Sequence, residues 1–372
     1  MGLLARLLGL LICSVAAPAA MAGEFKRGVN LNQWLDTYAT GAVPVQSLRD
    51  LRAAGFDHVR LPVDPVQLGW TPRRGAVMTD VSKLLSAIEV IRSADLDVIV
   101  DMHPDHDTQQ IIEVDPQGTE AFLGLWSWLA KQLRRTPADD VAIELLNEPQ
   151  YQGVGGAVRW GRFQKRLLRT VRVVLPHHTV VITGRKTGTL DGLIEITPVD
   201  DPNVLYSFHF YAPSIFTHQG ATWMRNVPWT TAGHWHDMRY PAQQARRRQP
   251  WIDRGGDTER GIAEMNQYLR DDWCRAEIGQ TWAPLFAWAR RYPAARIRLG
   301  EFGVIRANVE PISRYRWLAD VRTEAEANGW GWTIWNYASD FGITTGSNVE
   351  GRPSGDIDPE ATTALGLKAA RR

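Results

Sequence analysis

Short, nearly uninterrupted apolar runs alternate along this chain with longer stretches in which apolar residues recur every three or four positions. The short runs fall at 27–31, 58–63, 97–102, 141–146, 179–183, 204–211, 296–302 and 331–337. Each is long enough for one strand, and the run at 97–102 is almost wholly apolar, as a parallel strand covered on both faces requires. Helical periodicity fills the intervals at 45–55, 82–95, 120–135, 157–175, 190–196 and 313–328, and a last helix is expected at 361–370. In the second of these, Leu84, Leu85, Ile88 and Ile91 share one face. Eight strands alternating with helices predict an α/β fold, a (β/α)8 TIM barrel, as one domain over 23–372. An open doubly wound sheet is the rival, but no Gly-rich phosphate-binding turn follows the first strand. The segment at about 213–275, after the sixth strand, is too long for a simple loop. It carries Trp223, Trp229, Trp235, His234, His236 and several Arg, and is expected to lie over the barrel top and shape a cleft there. The alternative is a solvated surface loop.

The first 22 residues break the pattern. Arg6 precedes a short apolar run, and Ala20-Met-Ala22 fits a small-x-small cleavage site, so 1–22 reads as an export signal leading to a periplasm or the exterior. A lipid anchor at Cys13 is the competing reading, although Ile12 stands where a small residue is expected. Loss of the signal leaves 41 basic and 41 acidic residues. That balance argues against nucleic acid or a membrane surface as partner. It also leaves Cys274 as the one remaining cysteine, so no internal disulfide is expected, and Cys274 reads as a buried thiol without a nucleophile's surroundings. The 16 Trp are many for 372 residues. Most are expected in the core, with a few stacking on sugar rings in a cleft.

In such a barrel the loops at the C-terminal ends of the strands build the site. The chemically distinctive residues fall there. Asn147 and Glu148 follow the fourth strand, and Glu301 ends the seventh. Arg60 lies in the second strand, His103 follows the third, His209 and Tyr211 end the sixth, and Trp335 lies on the eighth. Singly, each has a structural explanation: an ion pair, a cap, a core filler. Jointly, two carboxylates converging on one face point to glycosidic cleavage, in which one protonates the leaving oxygen and the other attacks the anomeric carbon. Bringing two carboxyl groups close helps one to keep its proton while the other is ionised.

Arg60-Leu-Pro62, Asp101-Met-His103, Leu146-Asn-Glu-Pro149, Ser207-Phe-His-Phe-Tyr211, Leu299-Gly-Glu-Phe-Gly303 and Trp335 resemble glycoside hydrolase family 5, the cellulase-type barrels, and the segment from Arg27 to Trp34 is similar to that family's first strand. The resemblance runs from about 25 to 345. It implies Glu148 as general acid/base and Glu301 as nucleophile of a retaining double displacement. It implies that Asn147 holds the sugar 2-hydroxyl, that Arg60 and Tyr211 orient Glu301, and that His103 and His209 bind hydroxyls or surround the acid/base. Trp335 would floor the ring being cleaved, with Trp34 stacking further along. Two departures stand out: Pro104-Asp-His106, where the family often has another His or Asn, and the long insertion.

The resulting expectation is a secreted, monomeric β-glycoside hydrolase without metal or cofactor, acting on a polysaccharide or oligosaccharide, foremost endo-wise on β-1,4-glucan. Exo action, β-1,3-glucan, mannan, a bacterial exopolysaccharide and transglycosylation remain alternatives. A non-catalytic carbohydrate-binding barrel would have lost a carboxylate. A metal-dependent barrel hydrolase would draw on His103, His106, His234 and His236, yet the first strand lacks the His-x-His that such barrels show.

Overall fold

The computed structural model describes residues 24–32, 34–35, 43–71, 80–247, 250–253, 255–346 and 356–368. The proposed signal lies outside them. Parallel strands β1 (Arg27–Asn30), β2 (His58–Val63), β3 (Asp97–Met102), β4 (Val141–Glu144), β5 (Val180–Thr183) and β6 (Val204–Phe210) lie side by side in chain order. A small antiparallel pair, β7 (Trp235–His236) and β8 (Trp251–Ile252), stands apart. Strands β9 (Arg296–Phe302) and β10 (Gly331–Ile334) then return, and β10 pairs with β1 to close an eight-stranded barrel. The TIM-barrel expectation therefore holds, and the open sheet is excluded by that closing pair.

Alternation along the strands divides the barrel into an outer and an inner surface. Outward residues such as Val59, Leu61, Val98 and Val100 join the large cluster packed under the helices. Inward residues Ile99, Ala142, Val181 and Leu205 form a separate apolar plug with Phe25. One step toward the C-terminal ends, the same strands turn Asp101, Glu144, Thr183 and Ser207 inward, all buried. The lumen is thus apolar below and polar above, and the polar half is where the chemistry assembles.

Most elements end a few residues short of their expected bounds, where capping or a loop's geometry takes over. The third long helix starts earlier, at Pro116–Leu133, because Asp115 caps it with its side chain. The last helix is Pro359–Ala364, capped by Asp358, not 361–370. A helix at His106–Val114 was not anticipated. Asp105 caps it by accepting from Thr108 N at 2.8 Å, which is the structural role of the Pro104-Asp-His106 departure. Nor were the helices in and after the insertion, Thr258–Arg270, Arg275–Thr281 and Ala283–Arg291. The insertion is tied to the barrel rather than loosely solvated. Tyr240 donates to Asp320 at 2.8 Å, Ile305 N to Thr217 O at 2.9 Å, and Arg239 pairs with Glu310. Cys274 is half-buried at the start of one of these helices rather than fully enclosed.

One irregularity matters for the site. Leu299 pairs with Phe208 and Glu301 with His209, while on the other side Leu299 pairs with Trp332 and Phe302 with Ile334. Strand β9 therefore carries one residue too many at Gly300–Glu301, a bulge that re-aims a side chain. Gly300 is needed there. A methyl group on it would lie 2.2 Å from Ser207 Oγ and 3.0 Å from His209 Nε2. We expect Gly300→Ala to lower activity more than about tenfold and to destabilise the fold by about 1–3 kcal/mol. Ser207→Ala should restore part of both, read by kinetics and urea denaturation.

Candidate active site

Arg60 sits at the centre of the polar half of the lumen, fully buried. Its Nε and Nη2 hold Glu144 in a two-pronged pair at 2.7 and 3.0 Å. Nη1 donates to Glu301 at 2.7 Å and to Asn30 Oδ1 at 2.9 Å. Nη2 also donates to Asn147 Oδ1 at 2.9 Å and lies 3.0 Å from Asp101. Every N–H of the guanidinium is engaged, which burial of a full charge demands. Burial alone would lower the Arg60 pKa, but Asp101, Glu144 and Glu301 outweigh it and hold it well above its usual value. The same opposition acts on Glu144. Burial raises its carboxyl, and Arg60 with the Thr183 hydroxyl at 2.5 Å brings it down to about 2. Burial dominates at Asp101, whose carboxyl is raised.

Glu301 receives Arg60 on one oxygen and the Tyr211 hydroxyl on the other, at 2.9 Å. Its side chain is 6% exposed, whereas that of Glu148 is 32% exposed to the cleft. His209 Nδ1 lies 2.8 Å from Glu148 and 3.6 Å from Glu301. Burial would lower its pKa, but the Glu301 charge and the bond to Glu148 raise it instead. One carboxylate oxygen each of Glu148 and Glu301 and a His209 ring nitrogen lie within 4.8 Å of one another. On the opposite wall His103 Nδ1 is 2.7 Å from Asp101, Nε2 is 3.1 Å from Asn147 Nδ2, and the ring stacks on Trp335 at 5.8 Å.

These groups line a cleft of about 730 Å³. The structure thus gathers Glu148, Glu301, His103, Asn147, Tyr211 and Trp335 on the cleft wall, with Arg60 and His209 directly behind. Trp34 is the exception. It lines a second hollow with Val45, Ser82 and Val90, between the helices Val45–Ala54 and Ser82–Arg92. The imidazoles of the metal alternative do not converge. His103 faces Asp101, His106 faces Gln110 and Gln150, and His234 and His236 share Asp253 in the insertion.

Several contributors were not legible in the sequence. The insertion supplies His218 to the cleft beside the expected Trp223, and the loop after β10 supplies Asp340 and Phe341. Burial pushes the His218 imidazole down to about 4, so it is neutral near pH 7. Beneath the loop that carries Glu148, Gln109 donates to Glu148 O at 2.7 Å. Glu113 accepts from the backbone N–H of Gln150 and Tyr151 at 2.7 and 2.8 Å. Glu148 and Tyr151 both have φ near +40°, so this stretch is strained and needs such bracing. Both brace residues come from the unanticipated helix His106–Val114.

Across residues 22–340 the chain matches the model of the cellulase domain, glycosyl hydrolase family 5. The chain belongs to glycosyl hydrolase family 5. It is 27% identical over 337 residues to Endoglucanase C of Acetivibrio thermocellus, covering 86% of this chain and 93% of that one. In shape it resembles the cellulose synthase subunit Z, CcsZ, of Clostridioides difficile (TM-score 0.70, 24% identity, 92% and 99% of the two chains). It also resembles Cel5A of Thermotoga maritima in complex with cellobiose (TM-score 0.69, 21% identity, 92% and 97%). This family 5 member is accordingly a glycoside hydrolase of the cellulase type.

Two outcomes follow for the site. Glu113→Ala strands two backbone donors and should cost about 1–3 kcal/mol locally, seen as a drop of about tenfold in kcat with a smaller change in KM. Glu144→Gln should destabilise the fold by about 3 kcal/mol at pH 6. The Glu144 carboxyl is depressed on folding, from 4.5 to about 2. Its contribution is therefore complete above pH 4.5 and lost as pH falls through 2, so the gap between variant and parent in urea unfolding should shrink below pH 4.5.

Proposed function

We propose that this enzyme cleaves β-1,4-glucan internally, with retention of anomeric configuration, through a glycosyl ester on Glu301. The observation that carries the reading is the separation of the two carboxylates. One oxygen of each lies within 4.8 Å of the other, a spacing that suits the close carboxyl pair of a covalent double displacement better than the wider pair of an inverting site. Glu301 attacks the anomeric carbon while Glu148 gives its proton to the leaving oxygen, so the glycosidic bond breaks as the ester forms. Glu148 then takes a proton from water, which attacks the same carbon and releases Glu301.

The surrounding groups fit these roles. Arg60 and Tyr211 hold one oxygen each of Glu301, fixing which lone pair faces the sugar. Asn147 is locked by Arg60 and His103, leaving its amide poised for the 2-hydroxyl. Glu148 is the more exposed carboxyl, as a group that must meet both leaving group and water should be. Trp335, stacked on His103, offers its indole face beneath the ring. The preference for β-1,4-glucan and for internal cleavage draws on the name of the A. thermocellus relative, an endoglucanase. A host-made exopolysaccharide is a second substrate reading, because a barrel of this shape is a cellulose synthase subunit in C. difficile. Export through a cleaved 1–22 signal and a monomeric state belong to the same proposal.

Glu301→Gln should abolish turnover of every glycoside while thermal unfolding stays near that of the parent. Glu148→Ala should lose about 10²–10⁴-fold on polymer yet keep most of its rate of glycosyl transfer from activated aryl glycosides. Equal losses on both substrates would reverse or void the two roles. A product profile by mass spectrometry on soluble β-glucans, mannan and xylan, with Glu301→Gln as blank, identifies the polymer. A ladder of oligosaccharides marks internal cleavage, and release of only mono- or disaccharide marks end-wise action.

A further inference from the structure

Among the described residues, the three Trp that are more than half exposed all lie in the insertion: Trp223 at 51%, Trp229 at 65% and Trp251 at 54%. Trp223 lines the cleft, but Trp229 and Trp251 do not, so the cleft leaves two large indoles outside it unexplained. Trp251 is not simply loose on the surface. Its ring lies flat against the His236 imidazole, with centroids 4.1 Å apart and planes 12° off parallel. His236 is held in turn by Asp253 at 3.3 Å. Asp253 is fixed by His234 and by Arg225, each at 2.6 Å.

The imidazole therefore covers one face of the indole and leaves the other to solvent. A side chain held this way has already lost its rotamer freedom, so a ligand that stacks on it does not bear that cost. Flat, rigid and exposed is what a pyranose ring's C–H face requires of a binding platform. Continuity with the cleft comes through Arg225, which clamps Asp253 and stands two residues beyond Trp223. Charge around the platform is mixed, which suits a neutral polymer better than an ionic one.

We propose that Trp251, backed by His236, is a binding platform for a β-glucan strand outside the catalytic cleft. This rests on the proposed β-glucanase activity and adds to it a second grip on long chains. The platform contributes to polymer capture and not to bond cleavage.

The test compares parent, Trp251→Ala and Trp251→Tyr on a long soluble β-glucan and on an aryl cellobioside. The same substitutions in a Glu301→Gln background are run through native gels containing hydroxyethyl cellulose. Trp251→Ala should raise KM for the polymer and weaken gel retardation, each by about fivefold, the scale of one aromatic stack. It should leave aryl cellobioside kinetics unchanged, and Trp251→Tyr should keep most of the parent's grip. Unchanged polymer KM and retardation, or an equal loss on both substrates, would overturn the platform while the parent's cleavage of β-glucan left the activity standing. A parent that neither cleaves nor is retarded by any β-glucan would remove the activity and the platform together.

Discussion

A single buried guanidinium organises the catalytic end of this barrel. Arg60 is a positive charge set directly against three carboxylates, Asp101, Glu144 and Glu301. Removing a charge from water costs several kcal/mol unless each donor finds a partner, so the residues around Arg60 are constrained together. Glu144 and Asp101 take up most of the charge from below and the side. Glu301 and Asn147 receive what remains, pointed at the cleft. The barrel wall supplies these partners from β1, β3, β4 and β9 around Arg60 on β2, and the network therefore also records the register of the strands.

The strand and helix alternation made the barrel legible, because eight apolar runs with helical spacers leave few topologies. The two glutamates, Arg60, His103, Asn147, His209, Tyr211 and Trp335 were legible because each sits at or near a strand's C-terminal end. Glu144 and Asp101 were hidden in plain view. They read as polar interruptions of apolar strands, and only the inward alternation reveals that they face Arg60 rather than solvent. Gln109 and Glu113 were not readable, since nothing in a helix at 106–114 announces that its side chains will catch the backbone of a loop 35 to 40 residues later. Trp34 lies elsewhere for a related reason. Proximity in sequence to the first strand did not bring it to the cleft, and it packs beside helices instead.

The insertion after β6 changes what the barrel presents to a polymer without altering the carboxylate geometry. It contributes a neutral imidazole and an indole to the cleft wall and sets further indoles outside it. Its clamp on the barrel, including the Tyr240–Asp320 hydrogen bond and the Arg239–Glu310 ion pair, lies apart from the Arg60 network, so specificity for the polymer can diverge here while that network stays intact. That separation of tasks is characteristic of barrels whose loops vary over a fixed wall.

The two cleft carboxylates to which we assign the chemistry do not share a foundation. Glu301 is built into the bulged edge of β9, inside the barrel wall, whereas Glu148 rides on a strained loop fastened to a helix on the outer layer. Loop and outer helix belong to the part of a protein that opens first on warming. With the roles proposed above, such an enzyme ages unevenly: the carboxyl proposed as acid is displaced before the one proposed as nucleophile, and cleavage of substrates with poor leaving groups declines first.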